Sequence, residues 1–376
     1  MFLLFEKSMK KIWKSTLYIT YLLIFIAAAL EILLRIYNPI PFRIKGDKII
    51  LPINQSYQFT NQYACFDSLI IHKKNSMGFR GEELPKDASQ YTKIITVGGS
   101  TTECFFISED KAWPQVMQSE LRKKMPKSWV NNAGLNGHSS FGHLLLLKDV
   151  VLKYKPNYIY FLMGVNDMDR QDLNQFDNRM VLGKSVQMEN NGWLKNAFLT
   201  LSNHSEVANL IYNISKSLKA RNQKIFVDKI VQLNPKDTLI IPEATIQATL
   251  TKQKALLPAY RNRIVQLVTL CKSHGIKPVF ITQPLLVGEG LDPATGTDLA
   301  KVKISVDMNG RLYWNKLELY NEVMRDVCQK EHLELIDLAK ILPKDSRYFY
   351  DPMHFTNIGS VRVGQILAES SARFLN

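Results

Sequence analysis

Four short segments of this 376-residue chain carry side chains that could do chemistry, and the first three directly follow apolar runs. The first reads Val97-Gly98-Gly99-Ser100-Thr101-Thr102. Two glycines let the chain leave a strand and turn sharply, which puts Ser100 at the start of a helix among unpaired backbone N–H groups. That setting suits a nucleophile whose product is an oxyanion, although a serine there also reads as an ordinary N-cap. The second segment, Asn132 to Ser139, contains Gly137, whose backbone N–H can face a ligand with no side chain in the way. The third is Gly164-Val165-Asn166-Asp167. Asn166 could donate its amide to a developing negative charge, while an Asn-Asp pair alone is common turn chemistry. The fourth is Asp351-Pro352-Met353-His354. Here His354 could act as a general base for Ser100, with Asp351 fixing its tautomer. Histidine is scarce in the chain, seven in all, so its placement carries weight.

The elements that must position these residues are legible as alternation. Apolar runs at Ile94–Val97, Trp129–Asn132, Tyr158–Met163, Pro278–Thr282 and Leu333–Leu338 have the length and two-sided apolarity of buried parallel strands. Helical patterns lie between and after them, at about 112–124, 140–153, 248–274, 315–331 and 357–374. This order predicts an α/β domain on a central parallel sheet. Ligand sites in such sheets lie at the carboxyl ends of the strands, where the first three segments fall. Between the third and fourth strands the rhythm breaks. Residues 168–247 are predicted to be an insertion with an amphipathic helix near 204–220. Trp193 and that helix are candidates to line a groove over the site, against the reading that the insertion only packs on an edge or a partner. Residues 37–90 read as a loop-rich lead-in punctuated by Pro39, Pro41, Pro52 and Pro85. Within it, Asn75 to Gly81 reads as a tight turn packed on the main domain.

Residues 1–36 form a separate element. Lys7, Lys10, Lys11 and Lys14 precede an uncharged run over residues 15–30, and apolar residues continue past Glu31 to Arg35. About 20 such residues span a bilayer core of roughly 30 Å. The expectation is a single-pass signal-anchor with Glu31 near its end, able to pair with Arg35 one helical turn on. A cleaved signal peptide after Ala27-Ala28-Ala29 and a buried soluble helix are the alternatives. Basic residues flank both ends, so charge sets orientation only weakly. The reading places the N-terminus in the cytoplasm and the remaining chain, 91–376 as its catalytic part, on the periplasmic or extracellular side.

Taken together and in this order, the four blocks resemble those of the SGNH hydrolases, also called GDSL-type esterases and lipases. The matching residues are Ser100, Gly137, Asn166 and His354, with Asp351 in the Asp-x-x-His pattern. The resemblance covers residues 91–167 and 276–376, about half the chain. It implies a flavodoxin-like three-layer α/β/α sandwich, a Ser100–His354–Asp351 catalytic set, and an oxyanion hole from the Ser100 N–H, the Gly137 N–H and the Asn166 amide. It also implies no metal and no diffusible cofactor. One position departs from the pattern: Gly99 stands where the family name has Asp. The stretch Asn75 to Gly81 is similar to one found before the first block in membrane-anchored bacterial members. The expected function is an esterase or deacetylase acting through an acyl-enzyme on an acylated envelope or exported glycan, or on a lipid ester. An O-acyltransferase on the same site, and an anchored scaffold or carbohydrate-binding subunit without catalysis, are the alternatives.

Composition trims the remaining options. Apolar residues at 46% and charged residues at 22% are those of a globular chain. Lys and Arg number 48 against 34 Asp and Glu, a net charge of +14. Charge alone admits nucleic acid, but no nucleic-acid-binding signature is visible and an external location removes that partner. An anionic membrane surface or an acidic glycan fits the excess better. Protein partners are not specified by the sequence. Asp167, Asp169 and Asp172 lack the glycine and terminal Glu of a calcium loop and read as a solvated turn, with Asp167 bracing the Asn166 loop. His138 and His143 read as helix-surface residues or as neighbours of the substrate. Cys271 and Cys328 read as buried thiols; Cys104 reads as packing beneath the site or pairing with Cys65.

Overall fold

Each of the five apolar runs forms a strand of one sheet. The computed structural model describes residues 2–37, 44–45, 48–170, 193–222 and 237–375. The strands are β1 (Thr92–Gly98), β2 (Ser128–Asn132), β3 (Tyr158–Met163), β4 (Lys277–Thr282) and β5 (Glu334–Ile336). They lie in the order β5-β4-β3-β1-β2, and every neighbouring pair is parallel. Read from the other edge, this is the doubly wound flavodoxin-like order 2-1-3-4-5, whose switch point lies between β1 and β3. Register there sets Gly98 opposite Leu162, and Thr96 opposite both Asn132 and Tyr160.

Among the described residues the helices are α1 (Phe2–Ile36), α2 (Ser100–Glu103), α3 (Trp113–Arg122), α4 (Ser140–Asp149), α5 (Trp193–His204), α6 (Glu206–Asn222), α7 (Glu243–Lys254), α8 (Leu257–Ser273), α9 (Gly310–Lys330), α10 (Leu338–Ile341) and α11 (Asn357–Ser371). Strand side chains alternate between two helical layers, as the two-residue period demands. Tyr158, Tyr160, Leu162, Val279 and Ile281 join Trp113, Met117 and Leu121 of α3 and Val363, Ile366 and Leu367 of α11 in one core. The Tyr160 hydroxyl donates to Ser371 Oγ of α11 at 2.8 Å. On the opposite face Phe161 stacks on Phe280, ring centroids 5.1 Å apart, and α4, α8 and α9 pack there. The result is the three-layer sandwich that the resemblance implied.

One expectation is corrected and two are filled in. The lead-in is not only loop: Gln55–Thr60 and Leu69–Lys74 form an antiparallel hairpin in unbroken register. Its alternation of Tyr57 and Phe59 with polar neighbours was a period-two signal masked by low overall apolarity. The single helix expected over 248–274 is two, α7 and α8. The chain breaks at Ala255-Leu256 and α8 restarts with Pro258 in its first turn, where the missing N–H costs nothing. The helix expected near 204–220 is preceded by another, α5, with the corner at Ser205.

The chain groups into two bodies, Met1–Ile50 with Glu189–Lys224, and Leu51–Met188 with Ile225–Asn376. The second holds the sheet and all four blocks. In the first, α6 packs on α1 and α5 packs on α6. Glu31 pairs with Arg35, Nε to Oε1 at 2.8 Å, as its spacing predicted.

Candidate active site

The first three blocks sit at the carboxyl ends of strands and the fourth in the loop before α11, and local sequence explains how. After β1 the chain turns so tightly that a side chain at Gly98 would meet Thr102 Oγ1 at 2.1 Å and the Leu162 carbonyl at 2.7 Å. Ser100 then opens α2, a single turn of four residues that ends at Cys104 in the left-handed region, φ 53°. After β5 and α10, Asp351 makes a tight turn. Its Oδ1 accepts from the backbone N–H of Met353 at 2.8 Å and of His354 at 2.7 Å. Its Oδ2 lies 2.5 Å from His354 Nδ1. The other ring nitrogen, Nε2, lies 2.7 Å from Ser100 Oγ. Tyr350 stacks nearly parallel on the imidazole, 5.4 Å between centroids at 9°, which further limits its rotation. Burial pushes the Asp351 carboxyl up, but the adjoining His354 and the two backbone N–H groups outweigh it and hold the group below the usual carboxylate range.

Gly137 and Asn166 are brought to the same place by different ties. Gly137 adopts φ 77°, a conformation glycine adopts freely, and its Cβ position is open space. The loop bearing it is lashed to α2. The Asn136 N–H donates to Glu103 Oε2 at 2.7 Å, Asn132 Nδ2 donates to the Thr102 carbonyl at 2.6 Å, and Asn132 Oδ1 accepts from the Gly134 N–H at 2.8 Å. Asn166 Nδ2 donates to the His138 carbonyl at 3.0 Å. The same amide stands where a Cβ on residue 99 would be, 2.4 Å away. Gly99 is therefore the residue that lets Asn166 approach the turn before Ser100. Asp167 braces this loop, as expected, but from within the protein rather than from a solvated turn. It is 1% exposed, accepts from the Ser140 N–H at 3.1 Å and from Arg263 Nη2 at 3.0 Å, and so ties the Asn166 loop to the start of α4. Asp169 is exposed and pairs with Lys316 at 2.6 Å; Asp172 lies outside the described residues.

Some sequence-level readings change here. His138 and His143 are both buried, not surface residues, with rings 6.4 Å apart. All four cysteines are free thiols. Cys104 lies beneath the site, its thiol pushed up to about 11 by burial, so it is no competing nucleophile. The Trp193 side chain, named as a groove candidate, lies outside the described residues. Among the described residues no group of three or more His, Cys, Asp or Glu is placed to hold a metal ion.

One residue had no assigned role in the sequence reading. Arg80 is fully buried, and its guanidinium donates to the carbonyls of Glu103 (2.9 Å), Cys104 (2.6 Å) and Ile107 (2.9 Å) and to Glu109 Oε2 (3.0 Å). It satisfies the last carbonyls of α2, which a one-turn helix cannot pair internally. The available signal was an arginine between two glycines in an otherwise apolar turn, Gly78-Phe79-Arg80-Gly81.

A serine hydroxyl on an imidazole that a carboxylate orients is an arrangement that activates an oxygen nucleophile for acyl transfer. The family comparison agrees with that chemistry: residues 96–361 match the model of the GDSL-like Lipase/Acylhydrolase family. The chain belongs to this family, and it is a serine ester hydrolase by class. A search of curated proteins found no match. Solved structures with similar architecture include the acetyl xylan esterase AlAXEase (14% identity, TM-score 0.40, covering 74% of this chain and 98% of that one). Another is Axe2, an acetylxylan esterase from Geobacillus stearothermophilus (13%, TM-score 0.40, covering 75% and 93%). A third is LAE5, an alpha/beta hydrolase enzyme from the metagenome of Lake Arreo, Spain (12%, TM-score 0.41, covering 76% and 97%). Family membership rests on the matched segment, not on these distant neighbours.

Proposed function

We propose that Ser100 is the nucleophile, His354 its general base and Asp351 the group that orients and charges against His354. The observation that carries this reading is the continuous relay from Ser100 Oγ through the two ring nitrogens to Asp351 Oδ2. In the first half-reaction Ser100 Oγ attacks the ester carbonyl while its proton passes to His354 Nε2. The tetrahedral oxyanion is met by the N–H groups of Ser100 and Gly137 and the Asn166 amide. Collapse expels the alcohol, which takes the proton from His354 and leaves an acyl-enzyme. Water then attacks with His354 again as base, and the acid leaves with Ser100 restored. Preformed donors of this kind cost no reorganisation as charge develops.

The substrate we infer is an acylated envelope or exported glycan. Two features support it: an N-terminal helix, Ile12–Ile36, long and apolar enough to cross a bilayer, and a +14 charge on the whole chain. The helix serves as a single-pass anchor, with the catalytic body on the periplasmic or extracellular side.

The test uses the full chain in detergent, a fluorophosphonate probe and p-nitrophenyl acetate. Wild type should label and hydrolyse the ester. Ser100→Ala should lose labelling entirely and lose kcat by several orders of magnitude, and Ser100→Ala/His354→Ala should be no worse than either single change, because the pair acts as a unit. Equal labelling of wild type and Ser100→Ala would remove the nucleophile assignment. Offering acylated polysaccharide and measuring free acid against acylated acceptor separates hydrolysis from acyl transfer.

A further inference from the structure

The helices of the insertion are tied to the end of α1 in an unusual way. The Glu31 carboxylate accepts the backbone N–H groups of Glu206 (3.0 Å) and Val207 (3.0 Å) and the Ser205 hydroxyl (2.8 Å). A residue of α1 thus caps the N-terminus of α6, satisfying donors that every helix start leaves open. Arg35, one turn on, donates from Nη2 to the His204 carbonyl at 2.8 Å, the last residue of α5. Lys45, just past α1, pairs with Glu206. The α5–α6 corner is therefore held at a defined height along α1. Leu34 is buried, while the apolar residues preceding it, Leu17 to Ile26, stand exposed on every face.

That height can be placed. The apolar segment Ile12–Ile36 has 25 residues, about 37 Å of helix at 1.5 Å per residue. It exceeds a core of roughly 30 Å, so its last turns reach the headgroup boundary. Glu31 lies about 7.5 Å from that end. The corner it caps must then stand at the level where acyl chains meet headgroups. On either side of that corner α5 and α6 expose large apolar side chains: Leu201 at 53%, Ile211 at 53% and Ile214 at 44%. Ile211 and Ile214 are three residues apart and share one side of α6. Among the described residues of the pair, Ser202, Ala208, Asn209 and Asn213 are buried. Three large apolar side chains thus stand on the outside of the pair while Ser202, Asn209 and Asn213 lie inside, a distribution that a helix pair bathed in water does not favour.

We propose that α5 and α6 are an interfacial helix pair, seated in the headgroup–acyl boundary of the same bilayer that α1 crosses, with Leu201, Ile211 and Ile214 in contact with lipid. This rests on α1 spanning the membrane. The insertion then has a second attachment point of the chain on the membrane, and the Glu31 cap fixes its depth. A carboxylate so placed is costly unless it is satisfied, and three protein donors together with Arg35 satisfy it.

The test is the full chain reconstituted in vesicles of phosphatidylcholine and phosphatidylglycerol, irradiated with a membrane-confined diazirine lipid, with labelled residues mapped by mass spectrometry. Label is expected in α1 and in the segments around Leu201 and Ile211–Ile214. Ile211→Glu/Ile214→Glu should lose the label in α6 while keeping it in α1 and around Leu201, which shows that the helix pair still folds, and keeping hydrolysis of p-nitrophenyl acetate, which shows that the sheet-bearing body does. Label confined to α1 would overturn the interfacial pair and leave the anchor standing, as a protein or solvent covering of that face requires. Absence of label from α1 itself would overturn both.

Discussion

Gly99 stands where the family name has Asp, and in this chain the Asn166 amide lies close against it. The Asn166 amide occupies the space a side chain there would need, 2.4 Å from the position of a Cβ. Asp or Ala at 99 must push that amide away from the Ser100 turn. Gly99→Asp is expected to lower kcat by about 10²–10³, the loss typical of one oxyanion donor, while fluorophosphonate labelling of Ser100 persists. Loss of labelling together with activity would mean the turn itself had collapsed. Asp351 yields a second expectation. Asp351→Asn should keep the geometry but lower kcat by about 10⁴, because an amide favours the wrong tautomer of His354. The charge also bears on stability. The carboxyl is held below its ordinary value in the folded chain by His354 and backbone N–H groups, against the upward push of burial. A depressed folded value stabilises the protein above the unfolded value, about 3.9 for Asp, and this contribution is lost as pH falls through the folded one. In urea titrations the wild-type advantage over Asp351→Asn should therefore be present above about pH 4 and shrink below it.

At the scale of elements, Ser100, the proposed nucleophile, rides on a helix too short to hold itself. Four residues make barely one turn, and a helix nucleus is unfavourable alone. α2 is kept by what surrounds it: Arg80 on its terminal carbonyls, the Trp113 indole donating to Thr101 at 3.0 Å, and Thr101 donating to Gln283 at 3.1 Å. Arg80→Ala leaves three carbonyls and the Glu109 carboxylate without this partner. A buried carbonyl left without its donor costs about 1–3 kcal/mol, so thermal unfolding of Arg80→Ala should occur at a clearly lower temperature. Arg80→Lys should recover little, since one ammonium cannot reach what the planar fork reaches. An unchanged midpoint would show that α2 needs no such clamp. The sequence marked Asn75 to Gly81 as a turn packed on the domain but not what Arg80 does there, because backbone carbonyls carry no sequence signature. Helix breaks at Ala255 and Ser205 escaped for a related reason: their flanks keep helical composition, and only packing decides where the chain bends.

At the scale of the whole molecule, the +14 charge belongs to a chain whose catalytic body follows a membrane-length helix. If the substrate is an anionic acylated glycan, diffusion toward the enzyme is steered by that charge and screened over about 10 Å at 0.1 M salt. Raising salt should then lower kcat/KM on such a polymer and leave p-nitrophenyl acetate hydrolysis unaffected; parallel behaviour of the two substrates would remove charge from substrate capture. By itself the sequence determined the α/β alternation, the five strands, the membrane-length helix and the residue types of the four blocks. These are local properties: hydrophobic periodicity, glycine freedom and a short Asp-x-x-His turn are written in neighbouring residues. Only the tertiary structure decided that Ser100 and His354, 254 residues apart, stand 2.7 Å from each other, that Asn166 fills the space vacant at Gly99, that Arg80 closes α2, and that Glu31 caps α6. Each of those contacts follows from strand register and helix packing, where small displacements decide whether two atoms bond and where no single stretch of sequence holds both partners.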